Sequence, residues 1–122
     1  MKIILKGTPP SLNRFMGREN VWEYRKEKTN WTRAVIYSAR ANKDRPEQPY
    51  VKAMVRIDYY FSRNIRHDAD NYCGKFLLDG LTKSKVIIDD DFDHISLAVH
   101  GHVDKNNPRT EITVARMWDE DG

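Results

Sequence analysis

The sequence contains very little of what marks a secreted or membrane protein. Its single cysteine, Cys73, cannot form an intramolecular disulfide, so we expect a reducing, cytoplasmic location. No apolar run approaches the roughly 20 residues that span a bilayer. Residues 1–7 are too short a segment, and too interrupted by lysine, for a signal peptide. We therefore expect neither a disulfide framework nor a membrane partner.

Several common site motifs are also missing. The chain has no glycine-rich phosphate loop, no dinucleotide fingerprint, and no serine or cysteine nucleophile motif. His100 and His102 would share one face of a strand, but no cysteine or histidine pair at zinc-finger spacing accompanies them. A zinc site is therefore not expected.

What the chain does have is an uneven distribution of charge. The formal net charge is +3, yet residues 1–45 contain eleven Lys/Arg and four Asp/Glu, and the other 77 residues contain ten and fourteen. A basic part suits the neutralisation of phosphates, and an acidic part suits the binding of cations. An ordinary surface with scattered charges would explain the same counts.

The first half of the chain predicts a strand, a helix and a second strand. The first strand covers residues 2–6, and a helix runs from about residue 24 to residue 42, where apolar side chains recur at three- and four-residue steps. Strict alternation of apolar and polar residues then predicts a strand over residues 51–61 with one buried face.

The second half predicts a helix and a strand pair. The helix begins near Asp70 and continues for about 14 residues, after which a short return strand covers residues 86–88. Two alternating segments, residues 95–99 and 112–114, flank a turn at residues 104–108. The order strand, helix, strand, helix, strand, strand predicts one small α+β domain over residues 1–122, with a mixed sheet covered by helices. Its exposed face or edge could bind a second subunit.

A first pair of carboxylates precedes the predicted second helix. Asp68 and Asp70 flank Ala69, and residues two apart in an extended chain project to the same side. Asp70 would then stand at the helix N-terminus, which favours a negative charge. Capping of this helix by Asp70 or Asn71 would explain one of these residues but not Asp68.

A second acidic segment, residues 89–91 with Asp93 beyond it, follows the apolar residues 86–88. Such a run is usually a solvated loop. Its spacing imitates the start of an EF-hand, but His94 replaces the required glycine and His100 replaces the final glutamate. A calcium-binding loop is therefore excluded.

The two acidic segments could together form one metal site. A helix and a return strand can bring Asp90 back towards Asp68 and Asp70, and three such carboxylates would repel one another unless a divalent cation lay between them. Oxygen ligands favour Mg²⁺ or Mn²⁺ over zinc. Such a site activates water for attack on a phosphodiester. Lys75, about one turn into the helix, could stabilise the charge on the phosphate or could be an ordinary solvated lysine.

Three segments of the chain resemble the RusA family of Holliday junction resolvases. Residues 68–81, Asp-Ala-Asp-Asn-Tyr-Cys-Gly-Lys-Phe-Leu-Leu-Asp-Gly-Leu, and then residues 86–90, Val-Ile-Ile-Asp-Asp, match the family pattern in order. Residues 9–14, Pro-Pro-Ser-Leu-Asn-Arg, are similar to the Pro-Pro-Ser-x-Asn segment of that family. Lys75 follows Asp70 by five residues rather than the usual four, so Gly74 looks like an insertion.

The resemblance implies a homodimer that binds four-way DNA junctions and makes paired nicks with Mg²⁺. The catalytic and metal-binding aspartates would be Asp68, Asp70 and Asp90, and Lys75 would assist. Because the acidic run has three members, Asp89 or Asp91 could replace Asp90. On this hypothesis the DNA backbone is contacted by Asn13, Arg14, Arg63 and Arg66. The alternatives are a nuclease for flaps or other branched DNA, and a non-catalytic DNA-binding dimer.

Overall fold

The computed structural model describes residues 1–117 and confirms the predicted α+β class and element order. The principal elements are β1 (Lys2–Lys6), α1 (Val21–Arg40), β2 (Ala53–Phe61), α2 (Leu78–Lys83), β3 (Ile95–Val103) and β4 (Arg109–Arg116). Three short 3₁₀ helices lie in the connections, at Leu12–Phe15, Arg18–Asn20 and Ala69–Asn71. No helix within the described residues is long and apolar enough to cross a membrane.

The four strands form one mixed sheet in the order β1-β4-β2-β3. β4 is antiparallel to both of its neighbours, whereas β2 and β3 are parallel, with Ala53 opposite Ile95 and Phe61 opposite Val103. A parallel pair requires a crossover that returns along the sheet. That crossover, residues 62–94, contains α2 and both acidic segments. Asp68 and Asp70 lie in its first part, after the end of β2, and Asp90 lies in its last part, before the start of β3.

The predicted alternation in β2 is confirmed. The inward-facing residues of this strand are fully or almost fully buried: Ala53, Val55, Ile57, Tyr59 and Phe61. Val51, which the same pattern included, precedes the strand and is 63% exposed. Helix α1 contributes Val35 and Ala39 to the same core, and the crossover contributes four more buried side chains, Leu77, Leu81, Val86 and Ile87.

Helices α1 and α2 pack closely against each other, and the absence of a side chain at Gly80 makes this possible. A Cβ atom at Gly80 would lie 2.5 Å from Cβ of Val35 and 3.1 Å from the backbone oxygen of Thr32. Any larger residue at position 80 would therefore have to push α2 away from α1. This contact determines where the residues beside Gly80 lie relative to α1.

The prediction that a helix begins near Asp70 is wrong. Residues Ala69–Asn71 form a single 3₁₀ turn, and α2 begins only at Leu78 and has six residues. Gly74 interrupts the segment with φ +89°, and a Cβ there would lie 2.9 Å from Cδ1 of Ile57. The chain follows this path because a glycine lets it turn in the left-handed region while it passes against β2.

Two other expected boundaries also change. The first helix begins at Val21, earlier than expected, and ends at Arg40. The expected return strand at residues 86–88 is reduced to an isolated parallel bridge between Tyr50 and Ile87. The turn between the last two strands is confirmed, and Asp104 stabilises it by accepting hydrogen bonds from the backbone of Asn106 and Asn107. The expected pairing of these two strands is wrong, because β2 lies between β3 and β4 and pairs with both of them.

Candidate active site

The first pair of carboxylates lies on an exposed turn after β2. Asp68 has an extended backbone, with φ −89° and ψ 130°, and the 3₁₀ turn that follows it carries Asp70. Although Asp68 occupies the N-cap position, its side chain makes no capping hydrogen bond. Its carboxylate instead accepts a hydrogen bond of 3.0 Å from Nε of Arg66. Helix capping therefore does not account for Asp68.

Asp68 lies beside the second half of β3. It lines a small cavity of about 60 Å³ together with His100 and Gly101. The acidic run precedes Ile95, the first residue of the same strand. The two acidic segments therefore lie beside different parts of the edge strand β3, with Asp68 near its second half and the acidic run just before its first residue.

The described residues 1–117 contain a group of three potential metal ligands, but it is not the expected one. Ligand atoms of Asp89, Asp91 and His94 all lie within 4.8 Å of one another. Asp68, Asp70 and Asp90 do not form such a group in this part of the chain. His94 was not predicted as a ligand, and its only sequence signal is its position three residues after Asp91.

Hydrogen bonds hold the acidic run at both of its ends. Nδ1 of His94 contacts Oδ1 of Asp91, and this hydrogen bond lowers the pKa of the Asp91 carboxyl. At the other end of the run, Oδ1 of Asp89 accepts a hydrogen bond of 2.8 Å from the backbone N–H of Asp90. Asp89 and Asp91 are exposed, and Asp90 between them is partly buried.

Asp90 has a different electrostatic environment from its neighbours. Burial raises the pKa of its carboxyl, and the nearby negative charges of Asp79 and Asp89 raise it further. Asp90 therefore lies where carboxylates repel one another, which is the situation that a bound cation relieves. Oxygen donors of this kind suit Mg²⁺ or Mn²⁺.

Asp79 and Lys28 are site residues that the sequence did not reveal. Nζ of Lys28 on α1 lies 3.1 Å from Oδ2 of Asp79 on α2. This hydrogen bond is the main cause of a raised pKa at Lys28, and Asp90 contributes to it. The close packing at Gly80 places these partners together. The available signal for Asp79 was that an acid interrupts the apolar residues 76–81, but nothing in the sequence pairs it with Lys28.

Lys75 is exposed, but it is not on a helix as predicted. It follows Gly74 in the left-handed turn. It lines a crevice that also contains Pro9, Pro10 and Asn71. The crossover and the segment after β1 therefore meet at this lysine.

Two of the four predicted DNA contacts line a common groove. Arg14 and Arg63 border a cavity of about 420 Å³. The aromatic residues that line it are Trp31, Phe61, His67 and Tyr72. Asn13 is exposed on the same 3₁₀ helix as Arg14, and Arg66 is paired with Asp68.

A family model for endodeoxyribonuclease RusA matches residues 7–115. The match covers nearly the whole chain, and it places the protein in the class of endodeoxyribonucleases. The chain belongs to the RusA family of Holliday junction resolvases. A search of curated proteins found no match.

Proposed function

We propose that this protein is a Mg²⁺-dependent endonuclease that resolves four-way DNA junctions by paired, symmetric nicks. It would act as a homodimer in the cytoplasm, in DNA recombination and repair. The observation that carries this proposal is the family match over residues 7–115, because that range includes both acidic segments and the preceding Pro9–Arg14 segment. A two-fold dimer suits a four-way junction because two symmetric sites can cut two opposed strands.

In the proposed site Asp68, Asp70 and Asp90 would hold the ion, with Asp89 or Asp91 as the alternatives to Asp90. Because these three carboxylates do not form a ligand group within residues 1–117, binding of the ion would have to draw the turn at residues 68–70 and the acidic run together.

Carboxylates alone would repel a phosphodiester. Burial raises the pKa of the Asp90 carboxyl first, and the nearby negative charges of Asp79 and Asp89 raise it further, which a bound cation would offset. When it is bound, Mg²⁺ acidifies water and offsets charge on the phosphate. Mn²⁺ has the same preference for oxygen ligands and should replace it.

The remaining residues would bind and orient the DNA. Lys75 would donate to a phosphate oxygen from its exposed turn. Arg14 and Arg63, which share a groove, would contact the sugar-phosphate backbone together with Asn13. Arg66 would act partly through Asp68, because its guanidinium fixes that carboxylate at 3.0 Å.

The decisive experiment compares a labelled four-way junction with linear duplex of the same sequence, in Mg²⁺ and in EDTA. We expect symmetric nicks in the junction only, and only with Mg²⁺. Equal cutting of the linear duplex or of flaps would favour the broader nuclease alternative. Binding without nicks, unaffected by EDTA, would favour the non-catalytic dimer.

The ligand set is tested by mapping the ion directly. Fe²⁺ in place of Mg²⁺, with ascorbate and peroxide, cuts the protein backbone near the residues that hold it. Cuts near residues 68–70 and near residue 90 in the same molecule support the proposed set. Cuts confined to residues 89–94 would assign the ion to Asp89, Asp91 and His94 instead.

The register of the acidic run is tested by three matched variants. Asp90→Asn should lose nicking far more completely than Asp91→Asn or Asp93→Asn. A severe loss at Asp91 alone would shift the ligand by one residue. Equal losses at all three positions would mean that the run acts only as diffuse charge.

A further inference from the structure

We propose that the groove between α1 and α2 binds the sugar-phosphate backbone of a DNA arm. This α1–α2 groove has a volume of about 470 Å³, and its charged lining residues are Arg25, Lys28, Arg33, Asp79 and Lys83. The inference rests on the proposed function, since it identifies a second surface for the same DNA substrate. None of these residues belongs to the groove that contains Arg14 and Arg63.

The helical repeat aligns the cations of α1 along one wall of this groove. Residues three or four apart share a helix face, so Arg25, Lys28 or Thr29, and Thr32 or Arg33 lie in successive turns. Lys83, in the last turn of α2, forms part of the opposite wall. Two separate elements therefore contribute positive charge to a common concave surface.

The charges that line the groove are not balanced within residues 1–117, since four are positive and one is negative. The negative charge, Asp79, is already paired with Lys28 at 3.1 Å. Within residues 1–117, the side chains of Arg25, Arg33 and Lys83 make no hydrogen bond or ion pair. Unpaired like charges side by side repel one another, and a polyanion bound in the groove would replace this repulsion with attraction.

The lining chemistry favours a phosphate backbone over nucleobases. Arginine presents a planar fork of donors that matches two phosphate oxygens, and threonine hydroxyls such as that of Thr29 can add a further hydrogen bond. Among residues 1–117, none of those that line the groove is aromatic, so a base would have no ring there on which to stack. The Arg14–Arg63 groove differs in this respect, since it includes Trp31 and Tyr72.

The α1–α2 groove also lies near Asp90, one of the proposed catalytic acids. Asp79 borders the groove, and its carboxylate lies close enough to Asp90 for the two charges to interact. A DNA strand lying along the groove would therefore pass close to Asp90. This position gives the groove a role in presenting the strand to be cut.

The test uses the full chain and a fluorescent four-way junction, with binding measured by anisotropy in EDTA over a range of salt concentrations. The groove variant is Arg25→Gln with Arg33→Gln. Its control is Lys43→Gln with Lys105→Gln, which removes the same charge from two exposed turn lysines. Circular dichroism melts of both variants establish that they are folded.

We expect the groove variant to lower the log–log salt slope by about 1.8, because each phosphate contact contributes about 0.9. If the variant and the wild type bind equally at 1 M salt, this difference in slope makes the affinity of the variant roughly 60-fold weaker at 0.1 M salt. The control should remain within about twofold of wild type, as expected for charges that touch no phosphate. Lys83→Gln alone should lower the slope by about 0.9 and the affinity about eightfold.

Equal losses in the groove variant and in the control would overturn the inference, because the effect would then be one of net charge. If the wild-type protein nicks junctions but the groove variant binds as the control does, only the inference fails and the proposed function stands. A wild-type protein that neither binds nor nicks a junction contradicts both proposals.

Discussion

The contact between α1 and α2 can be tested by adding one methyl group. In Gly80→Ala the new Cβ would lie 2.5 Å from Cβ and 2.6 Å from Cγ1 of Val35, and 3.1 Å from the backbone oxygen of Thr32. Two of these atoms are main chain or directly attached to it, so the helices must separate. Overpacking of this kind costs about 1–3 kcal/mol. Alanine recovers up to about 1 kcal/mol through its higher helix propensity.

Because Cβ of Val35 and the backbone oxygen of Thr32 cannot rotate away, we expect an overpacking cost in the upper part of this range, about 2–3 kcal/mol. The net loss in the free energy of unfolding is then about 1–2 kcal/mol. For a domain of this size that corresponds to a fall in Tm of about 3–10 °C. Gly101→Ala is the matched control, because its Cβ would meet only Cε2 of Phe61, at an ordinary 3.5 Å. That variant should be neutral, or stabilising by up to about 1 kcal/mol, since it reduces the entropy of the unfolded chain.

Chemical denaturation and thermal melts of both variants provide the measurement. In a Val35→Ala background, which removes Cγ1, Gly80→Ala should cost less than it does in wild type. An unchanged or higher stability of Gly80→Ala would refute the argument. It would mean that α2 can move away from α1 without lowering the free energy of unfolding. The pairing of Lys28 with Asp79 would then not depend on this contact.

Three further predictions concern single carboxylates. Asp70→Asn should abolish nicking and leave junction binding intact or tighter, because a neutral amide is a poor Mg²⁺ ligand; a variant that still cuts would remove Asp70 from the site. The raised pKa of Asp90 means that its contribution to stability is present at low pH and is lost as pH rises through the folded pKa. Asp90→Asn should therefore raise Tm in EDTA at pH 7 but not near pH 3, and an equal effect at both pH values would contradict this. Burial acts to raise the pKa of Asp58, but hydrogen bonds from Arg56 and His102 outweigh it and lower the pKa. Its stabilisation is thus present above the ordinary aspartate pKa and lost as pH falls through the folded pKa. Asp58→Asn should destabilise the protein at pH 7 and much less in strong acid, as urea titrations at the two pH values would show.

Much of the fold followed from patterns that lie within single segments. The strict alternation over β2 predicted its buried face, because one side of a half-buried strand must be apolar along its whole length. The element order and the family resemblance were equally accessible, since both depend on the succession of residues along the chain. The motifs in residues 9–14, 68–81 and 86–90 were sufficient to suggest the family that the match over residues 7–115 shows.

The structure of the crossover was decided by contacts between distant segments. The apolar spacing around Asp70 predicted a helix, but Gly74 turns there because the chain passes against Ile57 of β2, a contact that local periodicity does not encode. Local periodicity also does not encode the grouping of Asp89 and Asp91 with His94, because this grouping depends on how the loop before β3 folds.

The sequence by itself determined the fold class, the family and the acidic segments, because these are properties of residue type and order. Only the tertiary structure decided which charges meet. Lys28 and Asp79 are 51 positions apart in the chain, and they pair because Gly80 lets α2 pack against α1 without a side chain between them. That packing also creates the α1–α2 groove, since the walls of the groove belong to two helices that nothing in the sequence brings together.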